Sequence, residues 1–249
     1  MKKTSIIAVF AASVSLLSLA SCAKSNKTII RTQHIEEGVS NPQTIEEYEE
    51  AIDKYEARGK RLEDDVEDLQ LSKNQIAIWH KIVGSRYIEK GLYGDALKHY
   101  IAALEITPDN QNLYYYVGLC SSYMSHVSQS KGDYAERQEY LKRAENSYKR
   151  AISIEPRYAR ALYGIAVLYD FELGEPAKAI PHLETLLDIE KKHLDGLILL
   201  ARCYYETYQF DKAIQIYDRF IDATNVSEKK KMAEELKQQV IQVKAEFGE

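Results

Sequence analysis

After Leu19 the chain has no apolar run approaching the ~20 residues that a membrane-spanning helix requires, so no span is expected beyond that point. A cationic excess is also missing: 33 Lys and Arg face 38 Asp and Glu over 249 residues, which argues against nucleic acid as a partner. Six histidines are scattered without metal-ligand spacing, and there is neither a glycine-rich phosphate loop nor a serine elbow. Paired carboxylates do occur, at Glu36-Glu37, Glu46-Glu47, Glu49-Glu50 and Asp64-Asp65. They fall on a polar segment or a charged helix face, where solvation is expected rather than acid–base work. No catalytic, cofactor or metal set emerges, and the expectation is a protein that is not an enzyme.

What is present begins at the amino terminus. Lys2 and Lys3, the uncharged stretch Ile6 to Leu19 and the small pair Ala20-Ser21 stand in the order of an export signal, followed directly by Cys22. This arrangement resembles a bacterial lipoprotein. The resemblance implies removal of residues 1–21 and acylation of Cys22, with two or three chains holding the protein on a bilayer at about 0.8 kcal/mol per buried methylene. It also implies a cell-envelope location, with Ala23 after the cysteine resembling the default for an outer membrane, facing the periplasm. Removal of the leader takes two lysines and no acids, leaving 31 basic and 38 acidic side chains, a net charge of −7.

Residues 22–43 are polar and aperiodic, with Gly38 and Asn41-Pro42, and read as a flexible tether. Its 22 steps to Thr44 span roughly 75 Å extended and about 25 Å as a coil. Residues 44–76 follow as one amphipathic helix, capped by Thr44, with Tyr48, Ile52, Tyr55, Gly59, Leu62, Val66 and Leu69 at alternating steps of 4 and 3. Gly59 on that stripe implies either a close neighbour or a bend. The helix is expected to fold over the start of the next module; the alternative is self-association through residues 44–70.

From residue 77 the sequence repeats. Gly84, Tyr87, Ala96, Tyr100, Ala103 and Pro108 mark a first unit (77–110), and Tyr114, Gly118, Ala144, Tyr148, Ala151 and Pro156 a second (111–158), with 14 extra residues between Gly118 and Ala144. A third (159–193) carries Leu162, Ala166, Tyr169, Ala179 and Leu183, with one extra residue assigned to the Gly174-Glu175-Pro176 turn. The fourth (194–226) carries Leu197, Ala201, Tyr204, Ala213 and Tyr217. Small residues allow two helices to approach, tyrosines fill the space beside them and the prolines end the second helix. Residues 227–249, with Met232, Leu236, Val240, Val243 and Phe247 on one face, read as a capping helix.

This pattern resembles the tetratricopeptide repeat, and Ala51 with Tyr55 resembles a degraded leading unit. The resemblance implies an all-α fold, a right-handed superhelical solenoid of helix pairs between the long first helix and the cap. It further implies a concave wall formed by first helices. The groove-facing places fall on Ile78, Lys81, Ser85 and Ile88; on Asn112, Tyr115, Leu119 and Tyr123; on Arg160, Tyr163, Val167 and Phe171; and on Ile198, Arg202 and Tyr205. Aromatic surface with scattered cations suits an extended peptide or a partner helix. Of the family's five-residue carboxylate clamp only Lys81 and Arg160 are matched, Ser85, Tyr116 and Gly164 standing at the other places, so capture of acidic C-terminal tails is not expected. Cys120 and Cys203 take the same offset in the second and fourth units, a whole repeat apart, and are expected to be buried free thiols.

The function expected from these features is a membrane-anchored adaptor holding another envelope protein or peptide in its groove. The alternative is an accessory lipoprotein of a periplasmic solute-uptake system, binding a transporter component or a small hydrophobic ligand.

Overall fold

The computed structural model describes residues 45–247. The leader 1–21, Cys22, the tether 22–43 and the Thr44 cap lie outside the described residues. Among the described residues nine α-helices follow one another: α1 (Ile45–Glu89), α2 (Tyr93–Ile106), α3 (Gln111–Ser130), α4 (Tyr134–Ile154), α5 (Ala159–Val167), α6 (Pro176–Ile189), α7 (Leu194–Glu206), α8 (Phe210–Ala223) and α9 (Ser227–Phe247). A π-helical turn, Leu168–Glu172, continues α5, and no strand occurs among the described residues. The chain is an all-α stack of antiparallel helix pairs.

α1 differs from the expectation in two ways. It runs for 45 residues without interruption at 76/77, so Ala51 and Tyr55 lie on the same continuous helix as the first helix of the first repeat, and the segment preceding them in a leading unit lies outside the described residues. Up to Leu69 it belongs to one unit of the chain and from Gln70 to another. In the first unit Leu62, Val66 and Leu69 are 56%, 67% and 55% exposed. Gly59 has no atom within 4 Å of where a side chain would begin, which removes close approach as its reason.

In the second unit the first two repeats pair their helices through small-to-large contacts. A β-carbon at Gly84 would lie 2.9 Å from the Tyr100 ring, and Ala96, Tyr100 and Ala103 are fully buried around that contact. The Gly84–Tyr100 element is repeated by Gly118 against Tyr148. Two buried clusters result, one from Ala77 to Cys120 and one from Leu141 to Val240. α9 closes the carboxyl end over α8 by burying Ala233 and Val240, with Lys237 bonded to Asp218 at 2.5 Å and Lys244 to Asp211. Its buried stripe is rotated from the expected one: Ala233 faces inward, whereas Met232 and Phe247 are exposed.

The 14 additional residues of the second unit lengthen both of its helices, α3 to 20 residues and α4 to 21, around a turn at Lys131–Asp133 where Gly132 adopts φ +76°. Asp133 caps α4 by accepting from the Glu136 amide at 2.9 Å. The single extra residue of the third unit is absorbed one turn earlier than expected. Leu173 N–H donates to Leu168 C=O at 3.1 Å and Glu175 N–H to Tyr169 C=O at 2.8 Å, a wider hydrogen-bond register than the α-helical one, and Gly174 closes it at φ +65°.

Candidate functional site

The first helices of the last three repeats line two adjoining hollows. The first, of about 360 Å³, lies between α3 and α5 and is walled by Tyr115, Leu119 and Tyr123 on one side and Arg160, Tyr163 and Val167 on the other, with Tyr148 at its floor. The second, of about 470 Å³, lies between the π-helical turn and α7; Tyr163 is shared, and Phe171, Ile198, Arg202 and Tyr205 complete its walls, with Tyr217 and Leu236 behind them. Ten of the fifteen groove-facing residues named from the sequence therefore line these two hollows.

Ile78, Lys81, Ser85, Ile88 and Asn112 line neither hollow. Ser85 and Tyr100 share a hydroxyl–hydroxyl hydrogen bond of 3.0 Å inside the first repeat, and the Asn112 carbonyl accepts from the Tyr158 hydroxyl at 2.8 Å. Their polar atoms serve packing between helices. Lys81 lies exposed on α1.

The electrostatics of the groove are set by a few fixed charges. Arg160 makes no ion pair among the described residues, and Tyr158 and Tyr116 beside it push its pKa further up, so it stays charged. Burial pushes the Tyr115 and Tyr163 phenols up, so both remain neutral donors at any physiological pH. At the other end of the first hollow Glu172 accepts from Arg137 at 3.0 Å and faces His126 Nε2 at 3.1 Å, which ties the lengthened α3–α4 hairpin to the next repeat. In the second hollow the Arg202 guanidinium lies 4.4 Å above the Phe171 ring and its Nε–H donates to Glu206 at 2.7 Å.

Asp170 lies beneath Arg202, its side chain fully buried. One carboxylate oxygen accepts from the Cys203 thiol at 3.4 Å; the other lies 3.4 Å from Arg202 Nε but accepts no hydrogen bond, because that N–H is directed at Glu206. Burial accordingly pushes the Asp170 carboxyl up, with the Arg202 charge opposing. The π-helical turn places Asp170 inward while Phe171 stays 55% exposed toward the groove.

His126, Glu172, Asp195 and Glu206 line the hollows and were not singled out from the sequence. The signal that could have found Glu172 is the step of 13 from Ala166 to Ala179 where the first and fourth units have 12, since an inserted residue within a helix re-aims the side chains around it. Among the described residues no group of three or more His, Cys, Asp or Glu could hold a metal ion, and no helix is long and apolar enough to cross a membrane.

A stack of helical hairpins with a groove along its first helices defines a solenoid protein, a class that serves as a scaffold for protein–protein interaction. Residues 84–120 match the TPR repeat, and residues 130–188 and 170–228 match tetratricopeptide-repeat descriptions. The chain belongs to the tetratricopeptide-repeat family. The unmatched residues between 120 and 130 fall in the lengthened part of α3.

It is 25% identical over 193 residues to a TPR repeat-containing protein of Borreliella burgdorferi, covering 78% of this chain and 80% of that one. Among solved structures it is similar to a thermophilic TPR protein, TTC0263, of Thermus thermophilus (20% identity, 65% of this chain and 79% of that chain, TM-score 0.51). It is also similar to a tetratricopeptide repeat protein from Parabacteroides merdae (22%, 67% and 60%, TM-score 0.55). These likenesses are of fold.

Proposed function

We propose that this chain is a lipid-anchored adaptor of the bacterial envelope, held to a membrane through Cys22 and binding another envelope protein or an extended peptide along its first helices. The observation that carries the binding part is the continuity of the two hollows through Tyr163, which offers tyrosine, phenylalanine and arginine surface across three repeats. Such side chains give large contact area at a modest ordering cost, the composition of binding hot spots. The order of Lys2-Lys3, the uncharged stretch and Ala20-Ser21-Cys22 supports the anchor.

The test is photo-crosslinking in intact cells from a reactive group at position 205 in the groove, with position 142 on α4 as the control. An adduct from position 205 alone is expected, and Arg160→Glu combined with Tyr163→Ala should abolish it while the helical circular-dichroism signal is unchanged. An adduct that survives both substitutions would place the partner elsewhere. Globomycin-sensitive labelling of the chain by a radioactive fatty acid, lost in Cys22→Ser, tests the anchor separately.

A further inference from the structure

The second hollow carries more negative than positive charge. Asp195 and Glu206 line it, and Arg202 is the one cation among its lining residues. Asp195 is exposed beside the Tyr163 phenol and enters no ion pair among the described residues. Glu206 accepts the Arg202 Nε–H at 2.7 Å, and the same nitrogen lies 3.4 Å from the buried Asp170 oxygen that has no hydrogen bond. One N–H thus stands between two carboxylates and answers only one of them. A buried carboxylate oxygen without a donor is costly, so the arrangement favours any change that releases Arg202 toward Asp170.

The walls suit a particular kind of cation. Arg202 shows how a guanidinium lies in this hollow, over the Phe171 ring with an N–H to Glu206. Tyr163 and Tyr205 supply further aromatic surface along the same wall. A planar, weakly hydrated guanidinium stacks on such rings and brings five donors, whereas an ammonium gives up more water to enter. The first hollow has the opposite balance: its Arg160 lacks an ion pair, while its Glu172 is already engaged by Arg137 and His126. The excess of carboxylate belongs to the second hollow alone.

We infer that the second hollow seats an arginine side chain of the bound partner, stacked against Tyr205 and donating to Glu206, and that its arrival turns the Arg202 Nε–H over to Asp170. The inference rests on the groove reading above and gives the partner a chemical mark. Arg202 is then a resident that yields its acceptor to the incoming guanidinium. Asp195 precedes Glu206 by 11 residues on α7, about 16 Å along the axis, so it adds attraction at the far end of the hollow without touching the same guanidinium.

The seat is tested with Nα-acetyl-arginine methylamide and its uncharged citrulline counterpart, each titrated into the detergent-solubilised full chain and followed by saturation-transfer NMR. The arginine probe should bind roughly five-fold more tightly or better. Glu206→Gln should erase that preference, Asp195→Asn should reduce it, and Arg202→Met should strengthen arginine binding several-fold because Glu206 is freed. Glu206 is exposed, so its glutamine variant keeps the test open if Arg202→Met, which uncovers Asp170, fails to fold. Equal binding of the two probes, a preference untouched by Glu206→Gln, or weaker arginine binding in Arg202→Met would overturn the seat. The cellular adduct from position 205 separates this inference from the reading beneath it: an adduct without arginine preference removes the seat and leaves the groove, whereas arginine preference without an adduct removes a peptide as the source of the cation.

Discussion

Gly164 on α5 meets Tyr148 of α4 so closely that a β-carbon there would lie 2.7 Å from the ring, and Gly118 on α3 meets the same ring at 2.7 Å. Tyr148 is 2% exposed and has nowhere to swing. Gly118→Ala and Gly164→Ala should therefore each lower stability by about 1–3 kcal/mol, the usual cost of overpacking a dense core. In a Tyr148→Leu background the penalty of either alanine should fall by at least half. Urea unfolding of the three single and two double variants measures this, and an unchanged penalty without the ring would show that the ring is not the obstacle.

Cys120 and Cys203 are both free and fully buried. Burial pushes the Cys120 thiol up to about 12, and burial with the Asp170 carboxylate beside it pushes Cys203 higher still. Reaction requires thiolate, so native-state alkylation at pH 8 should be slower than in urea by at least ~1,000-fold for both. Mass spectrometry of partially labelled protein distinguishes the two sites. Rapid native labelling of Cys203 would show that the Asp170 pocket opens.

His182 stacks on Tyr169 with ring centroids 5.9 Å apart, and burial, helped by the Lys149 charge, holds its pKa below the ordinary 6.5. A histidine whose charged form is disfavoured by the fold binds its proton more tightly when unfolded, so stability is complete above pH 6.5 and is lost as the pH falls toward the lower folded value. His182→Phe should keep the stacking and remove that part of the acid sensitivity. Denaturation midpoints between pH 7 and pH 5 should fall less steeply in the variant than in the wild type; parallel curves would refute the assignment.

The repeats were legible because their determinants are local. The offset of Gly84 from Tyr100 states a close approach and what fills it, and the structure places that glycine against that ring. The π-helical turn was not legible, because one extra residue between Ala166 and Ala179 can be absorbed as a turn or as a change of hydrogen-bond register, and nothing in the composition of Leu168–Glu172 chooses. The fate of the α1 stripe was hidden for a different reason. Spacing shows that Leu62, Val66 and Leu69 share a face; it does not show whether anything covers that face. Ser85 and Asn112 were misplaced because a polar side chain at a groove-facing position still bonds whichever neighbour is nearer, and for them that neighbour is a tyrosine hydroxyl of their own stack.

The lengthened hairpin has an arithmetic that bears on how such stacks diversify. α3 exceeds α7 by seven residues (20 against 13) and α4 exceeds α8 by the same amount (21 against 14). Seven residues are close to two whole turns, so each rod grows by roughly 10 Å while every side chain nearer the base keeps its compass bearing. A shortened protein from which both extra segments are excised together should thus stack normally, whereas trimming either rod alone would swing its faces out of alignment or strand its neighbour.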